Sequence, residues 1–132
     1  MALHLEQNLQ RDIDRIREKI LDMSGRAEQA LSRSLKAFHD RSRQTAYSVI
    51  LRDQYIDQLE KEIDRLCLEF LVRQQPAAGN LRFVYAAIKI NSELERIGDY
   101  AENIARQVLK LNSIETEVPF EKYDGIARAS IA

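Results

Sequence analysis

The sequence predicts an all-α fold, an up-down-up antiparallel bundle of three long helices. Apolar residues recur at spacings of three and four over stretches of roughly 30 residues, which is the period of an amphipathic helix. Only four glycines and two prolines interrupt the 132 residues. No run of β-branched residues alternates with polar ones in the manner of a strand. Long helices joined by short turns pack as antiparallel neighbours, which gives the predicted bundle.

The first helix is expected over about residues 5–38. Gly25 lies inside it and costs about 1 kcal/mol relative to alanine, but the apolar pattern continues across this position, so we expect the helix to continue as well. The polar residues 39–43 then form a short turn. The core-facing residues of this helix are expected to be Leu5, Leu9, Ile13, Ile16, Ile20, Met23, Ala27, Ala30 and Ser34.

The second helix is expected over about residues 44–73, and a break follows at residues 74–80. Pro76 disfavours a helical conformation at the residue before it, and Asn80 is expected to cap the helix that follows. The core-facing residues of the second helix are expected to be Val49, Ile56, Leu59, Ile63, Leu66 and Phe70.

The third helix has the most regular pattern and is expected to end at Asn112 and Ser113. Leu81 and Ile88 project from a second apolar side, which is expected to pack against another bundle, so we expect a homodimer. Residues 1–112 are expected to form the bundle, and residues 120–131 to begin a further helix. The core-facing residues of the third helix are expected to be Phe83, Ala87, Ile90, Leu94, Ile97, Ala101, Ile104, Val108 and Leu111.

Composition and charge exclude several classes of function. The 20 basic and 21 acidic residues nearly balance, so no basic field favours nucleic acid as a partner. No uncharged stretch reaches the roughly 20 residues that span a bilayer, and the first residues lack the pattern of a secretory signal. The single cysteine, Cys67, cannot form an internal disulfide, which fits the cytoplasm. It is expected to be buried as a small apolar residue.

Two pairs of carboxylates are the candidates for a functional site. Asp53 and Asp57 lie four residues apart on the second helix, and Glu95 and Asp99 lie four apart on the third. This spacing places both members of a pair on one face, where they repel each other. The helices are antiparallel, and the two pairs lie at similar distances from residues 74–80. The four carboxylates can therefore meet.

Projection at about 100° per residue places both pairs away from the expected core, in a groove on the outside between the second and third helices. Gly98 lies among them inside a helix, which indicates close approach of a neighbouring helix, a second subunit or a ligand. The residues beside the pairs, and hence the candidates to support a site, are Asn91, Arg96, Glu102, Asn103 and Glu60.

Two interpretations of these acidic faces stay open. One is a solvated charged surface, with Arg96 paired to a neighbouring acid and no ligand. The other is a cation site between the helices, because a cation would remove the repulsion between the carboxylates. Donors that are all oxygen favour magnesium, manganese or calcium, and carboxylate-bridged iron is also chemically reasonable.

Three segments carry motifs that occur in a fixed order: DQYIDQLEKEI at residues 53–63, QPAAGNLR at 75–82 and IKINSELERIGDYAENIA at 88–105. Together they resemble the PhoU family of phosphate-transport accessory regulators, over about residues 5–112. That family has two tandem three-helix bundles. The resemblance therefore implies that residues 113–132 are a linker and the truncated start of a second repeat.

The resemblance implies a non-enzymatic negative regulator of the phosphate-starvation response and of transcription of the Pho regulon. It implies contacts with the sensor histidine kinase PhoR and the transporter ATPase PstB at the inner face of the membrane. It also implies a multinuclear iron or zinc site on the bundle surface. Asp53 and Asp57 match the first metal-binding motif of the family, Glu95 and Asp99 match the second, and the other matching positions are Arg96 and Asn103.

Two further functions compete with this one. The first is a helical scaffold whose acidic face binds a basic partner without a metal. The second is an enzyme with a carboxylate-bridged dimetal centre. Such centres lie inside bundles and use Glu-x-x-His ligands, whereas His4 and His39 share no ligand spacing and the acids are expected to face outward. The enzyme is therefore disfavoured.

Overall fold

The computed structural model describes residues 2–74 and 77–113, which form three helices. Helix α1 spans Ala2–Asp40, α2 spans Arg43–Gln74 and α3 spans Ala78–Ser113. Each helix packs against the other two, and no strand occurs in the part of the chain that the structure describes. The predicted three-helix bundle is confirmed.

Two features of the helices bear on the predictions from sequence. Helix α1 continues through Gly25, as expected. The further helix expected at residues 120–131 lies outside the described residues.

Over residues 2–74 and 77–113, no helical stretch combines the length and the apolarity that a bilayer crossing needs.

The turn between α1 and α2 is fixed by backbone geometry and by a cap. Arg41 adopts a left-handed conformation with φ of 54°, and the Ser42 N–H donates to the Ala37 carbonyl at 3.0 Å, which closes α1 in the manner of a Schellman motif. Ser42 then caps α2, because its Oγ accepts a hydrogen bond from the Thr45 N–H at 3.1 Å. The Asn112 side chain donates to the Arg41 carbonyl at 2.9 Å, so the end of α3 is held against this turn.

The start of α3 corrects one prediction. Asn80 does not cap this helix but lies inside it. The Leu81 N–H donates to the Ala77 carbonyl at 2.9 Å, so helical hydrogen bonding already begins at Ala77. Ala77 and Ala78 are strong helix formers, and they extend the helix ahead of the asparagine.

The core consists of two apolar clusters along the bundle. The expected core-facing residues of α2 are all buried, and so is Cys67. The smaller cluster lies near the α1–α2 turn and is built mainly from alanines, namely Ala37, Ala46, Val49, Ala101, Ala105 and Val108. The larger cluster comprises Ile13, Ile16, Met23, Ile56, Leu59, Ile63, Leu66, Cys67, Phe70, Val84 and Ala87.

The side of α3 that faces the core is only partly the predicted one. Three of the expected residues are buried, namely Ala87, Ala101 and Val108. Asn91, Gly98 and Ala105 are buried, whereas Ile90, which was expected in the core, is 46% exposed. A prediction from apolar spacing identifies the side of a helix that carries large aliphatic residues. It does not identify a buried side that carries small and polar residues.

Gly98 allows α3 to approach α2 closely. A Cβ atom added at Gly98 would lie 3.2 Å from Ile56 Cγ2, 3.3 Å from Ile56 Cδ1 and 3.5 Å from Asp53 Oδ1. The close approach predicted from this glycine is confirmed, and the neighbour is a helix of the same bundle. Glycine costs a helix about 1 kcal/mol relative to alanine, and this contact explains its presence.

We expect Gly98→Leu to lower the free energy of unfolding by about 1–3 kcal/mol, because the added side chain overpacks the contact with Ile56. Gly25→Leu is the matched control, since nothing lies within 4 Å of a Cβ at Gly25. The control should gain about 0.5–1 kcal/mol from helix propensity. Chemical denaturation measures both variants, and equal effects of the two substitutions would contradict the close approach.

Candidate functional site

Acidic residues of α2 and α3 meet in the groove between these helices. One carboxylate oxygen from each of Asp53, Asp57 and Asp99 lies within 4.8 Å of the other two. We call these three residues the aspartate trio. Oxygen ligands lie about 2.0–2.6 Å from a bound metal ion, so two ligands on opposite sides of one ion are about 4–5 Å apart. The aspartate trio is therefore close enough to share one cation.

Asp53 enters the bundle, which corrects the expectation that neither acidic pair reaches the core. Asp53 is only 8% exposed, and its Oδ1 has no hydrogen-bond partner within the part of the chain that the structure describes. Gly98 faces it from α3, so the missing side chain of the glycine leaves room for the carboxyl. Asp57 and Asp99 are half-buried. Because an uncompensated buried carboxylate is costly, Asp53 requires a proton or a cation.

The electrostatics of Asp53 favour the proton when no cation is bound. Burial, the hydrogen bond with Glu102 and the negative charge of Asp57 raise the pKa of Asp53 from 3.8 to about 7. The pKa of Glu102 is lowered, first because Arg106 donates hydrogen bonds to it at 2.7 and 3.2 Å. The protonated Asp53 therefore donates to an ionised Glu102. Arg106 was not predicted as a site residue, although its position four residues after Glu102 signals the pairing.

Glu95 lies beside the aspartate trio and extends the acidic groove. Burial raises the pKa of Glu95 from 4.5 to about 7, and a hydrogen bond with Asp99 acts in the same direction. The negative charges of Glu60 and Asp57 add to the effect. Burial and the neighbouring Asp64 also raise the pKa of Glu60. The groove thus continues beyond the trio as a second acidic patch.

Asn91 lies on the core side of this second patch and not on the outside of the bundle, where it was expected. It is 1% exposed. Its Nδ2 donates to the Glu60 carbonyl at 2.9 Å and to the Asp64 carboxylate at 3.1 Å. Its Oδ1 has no hydrogen-bond partner among the described residues. The amide thus ties α3 to α2 and leaves one oxygen unpaired inside the bundle.

Two predicted supporting residues lie apart from the aspartate trio. Arg96 and Asn103 are exposed. The Arg96 Nη1 lies 3.8 Å from the Glu93 carboxylate, which is the pairing that a solvated charged surface predicts for this arginine. Both residues therefore lie on the outer surface of α3.

The chemistry of the groove is that of oxygen donors. The group of described residues that could hold a metal contains neither histidine nor cysteine. Burial raises the pKa of the Cys67 thiol to about 11, which makes it a poor nucleophile and a poor metal ligand at neutral pH. A cation would balance carboxylates that now depend on protons. The unpaired Asp53 oxygen in particular fits a metal ion.

Comparison with known proteins places this arrangement in a family. The sequence profile of the PhoU domain matches residues 20–108. The chain is 33% identical over 128 residues to the phosphate-specific transport system accessory protein PhoU of Serratia marcescens, an alignment that covers 97% of this chain and 53% of the relative. The PhoU protein of Escherichia coli K12 is 31% identical over 128 residues, with the same coverage of 97% and 53%.

A third relative comes from another bacterium. The phosphate-specific transport system accessory protein PhoU homolog of Aquifex aeolicus is 34% identical over 116 residues, which are 88% of this chain and 51% of the relative. The chain thus spans about half the length of the curated relatives that it matches. Because the profile covers more than half of the sequence, and as the motifs predicted, this chain belongs to the PhoU domain family.

Proposed function

We propose that this chain is a non-enzymatic regulator of phosphate uptake and of the phosphate-starvation response, with a carboxylate metal site on the bundle. The observation that carries the proposal is the aspartate trio, found in a chain whose relatives are named phosphate-specific transport system accessory proteins. The unpaired buried oxygen of Asp53 supports a bound cation. Iron or zinc is the metal that the resemblance implies, and the donors also suit magnesium, manganese or calcium.

The acidic residues of the groove form two groups along its length. Asp53, Asp57 and Asp99 would hold one ion, and the neighbouring Glu95 and Glu60 are the candidates to hold a second. A bound metal ion would attract carboxylates of both helices. It would hold α2 against α3 and reduce the repulsion between their carboxylates.

Regulation would proceed through protein contacts. We propose that the partners are the transporter ATPase PstB and the sensor kinase PhoR, which would bring the chain to the inner face of the membrane from the cytoplasm. An apolar groove of about 410 Å³ supports a further contact, the expected homodimer. Its lining includes Leu81, Tyr85 and Ile88 of α3 and Leu71 of α2.

Metal content tests the site directly. Elemental analysis of protein purified without chelator should find iron or zinc at one or more ions per chain. The double variant Asp57→Ala, Asp99→Ala should lose at least about 90% of it, because two of three charged ligands are gone. Glu62→Ala with Glu93→Ala is the matched control, since it removes two exposed or half-exposed acids from the same two helices, both outside the trio.

The control should keep its metal, and it should bind immobilised PstB or PhoR as the parent chain does. The aspartate double variant should bind these partners more weakly. Metal-free parent protein, or a double variant with unchanged metal content, would refute the metal site. Unchanged binding of both partners by the double variant would refute a role of the metal in regulation.

A helical scaffold without metal is the second candidate, and it is compatible with the raised pKa values of Asp53 and Glu95. Protons can then hold the groove together in place of an ion. Partner binding through a bare acidic face would weaken steeply with added salt and would be unaffected by chelator. Binding through the metal-loaded groove should be lost when chelator is added at constant ionic strength.

The stability of metal-free protein should fall as the pH rises from 4 to 7. The pKa of Asp53 is raised from 3.8 to about 7 in the folded chain, so the folded state binds more protons in this range. One such group contributes a slope of at most about 1.4 kcal/mol per pH unit. Asp53→Asn should reduce the slope, measured by chemical denaturation, because asparagine needs no proton to donate to Glu102.

Asp14→Asn is the control for this experiment, since Asp14 is exposed and lies on α1. It should leave the slope of the parent protein unchanged. Glu95 also has a raised pKa, so Asp53→Asn should keep part of the slope. A metal-free protein that gains stability between pH 4 and pH 7 would contradict the burial of these carboxyls.

A further inference from the structure

A basic pocket lies between α1 and α2, whereas the aspartate trio lies between α2 and α3. Its cavity volume is about 100 Å³. Arg26 and Arg33 line it from α1, and Arg52 and Tyr55 line it from α2. We call this cavity the arginine pocket. No carboxylate is among the residues that line it.

Helix geometry and one small residue create the arginine pocket. Arg26 and Arg33 are seven residues apart and therefore lie on the same face of α1, two turns from each other. Ala30 lies between them and forms part of an apolar floor together with Val49. Because alanine has a short side chain, a hollow forms between the longer arginines. Apolar residues line the bottom of this hollow, and arginine residues line its sides.

The positive charge of the pocket is only partly compensated. The Arg26 Nε lies 3.0 Å from the Asp22 carboxylate, and the Arg26 guanidinium lies over the Tyr55 ring, 5.6 Å from its centroid. Among the described residues, neither Arg33 nor Arg52 has a carboxylate within ion-pair distance. Like charges held close together cost free energy, and an anion between them would remove that cost.

We propose that the arginine pocket binds a phosphate group, as inorganic phosphate or as the phosphate of a small monoester. Guanidinium groups bind the oxygens of phosphate in a bidentate manner. Tyr55 and Gln29 also line the pocket, and their side chains carry a hydroxyl and an amide that can act as neutral donors. Sites for drug-sized ligands have volumes of about 300–1,000 Å³, so this pocket has room for one anionic group and not for a nucleoside. The proposal is independent of any metal in the aspartate groove.

A phosphate titration of the full chain tests the proposal. The protein is first treated with chelator, which prevents phosphate from binding through a metal in the aspartate groove. Inorganic phosphate is then titrated by calorimetry at constant ionic strength, with phenyl phosphate and acetate as separate ligands. We expect saturable binding of phosphate at one ion per chain. Acetate should bind at least about tenfold more weakly, since a monoanion with two oxygens satisfies fewer of the donors.

The double variant Arg33→Gln, Arg52→Gln should weaken phosphate binding by at least about tenfold, because it removes two charged hydrogen-bond donors. Arg65→Gln is the matched control. It removes one positive charge from an exposed residue of α2 whose partner is Glu69, and it should change the affinity by less than about twofold. Since Arg33 is half-buried, Arg52→Gln alone is measured as well, because Arg52 is exposed and its loss should not affect folding.

The outcomes are distinct. Weaker binding in Arg52→Gln and in the double variant, with Arg65→Gln unchanged, supports the pocket. Tighter binding of inorganic phosphate than of phenyl phosphate identifies the free ion as the ligand, and the reverse order identifies a monoester. Absence of saturable binding, equal affinity for acetate, or equal losses in Arg52→Gln and Arg65→Gln would overturn the proposal.

Discussion

The close approach of α3 to α2 at Gly98 is the constraint on which the rest of the structure depends. A Cβ at this position would already contact Ile56 and Asp53, so glycine sets the separation of the two helices at the middle of the bundle. Ala101 and Ala105 continue the small side of α3 into the alanine cluster. The larger apolar cluster lies on the other side of Gly98 along the bundle. The acidic groove thus lies where the two clusters meet, and its width is determined by a residue without a side chain.

This position explains why the acidic groove is costly for the fold, which supports the proposal that it has a function. A polar residue between two apolar clusters loses solvent, and burial is the first cause of the raised pKa of Asp53 and of Glu95. An apolar residue at position 53 would avoid this cost. A local sequence choice that opposes stability without an evident compensating gain is expected at functional sites. Within the described groove, Arg106 neutralises Glu102, whereas the raised pKa values of Asp53 and Glu95 make these two carboxyls depend on protons or on a cation.

The sequence predicted what large aliphatic residues determine and missed what small and polar residues determine. The buried side of α2 was correct because Val49, Ile56 and Phe70 repeat at helical spacing. The buried side of α3 was wrong at Ile90 and Asn91, because hydrophobic spacing gives no weight to an asparagine whose amide nitrogen donates to another helix. The meeting of the two acidic pairs was expected from their similar distances to the turn. The burial of Asp53 did not, since it depends on a helix separation that only the packed bundle reveals.

One turn of α2 faces both proposed sites. Arg52 and Tyr55 line the arginine pocket on the side of α1, and Asp53 belongs to the aspartate trio on the side of α3. Ile56 contacts both regions, because it lines the pocket and lies against Gly98. A cation that draws α2 towards α3 and an anion that draws α1 towards α2 therefore act on the same turn of the helix. If either ligand shifts this turn, the affinities at the two sites are coupled, and linkage requires the coupling free energy to be equal in both directions. Because α2 contributes residues to both sites, phosphate and metal could affect each other's binding without sharing a binding site.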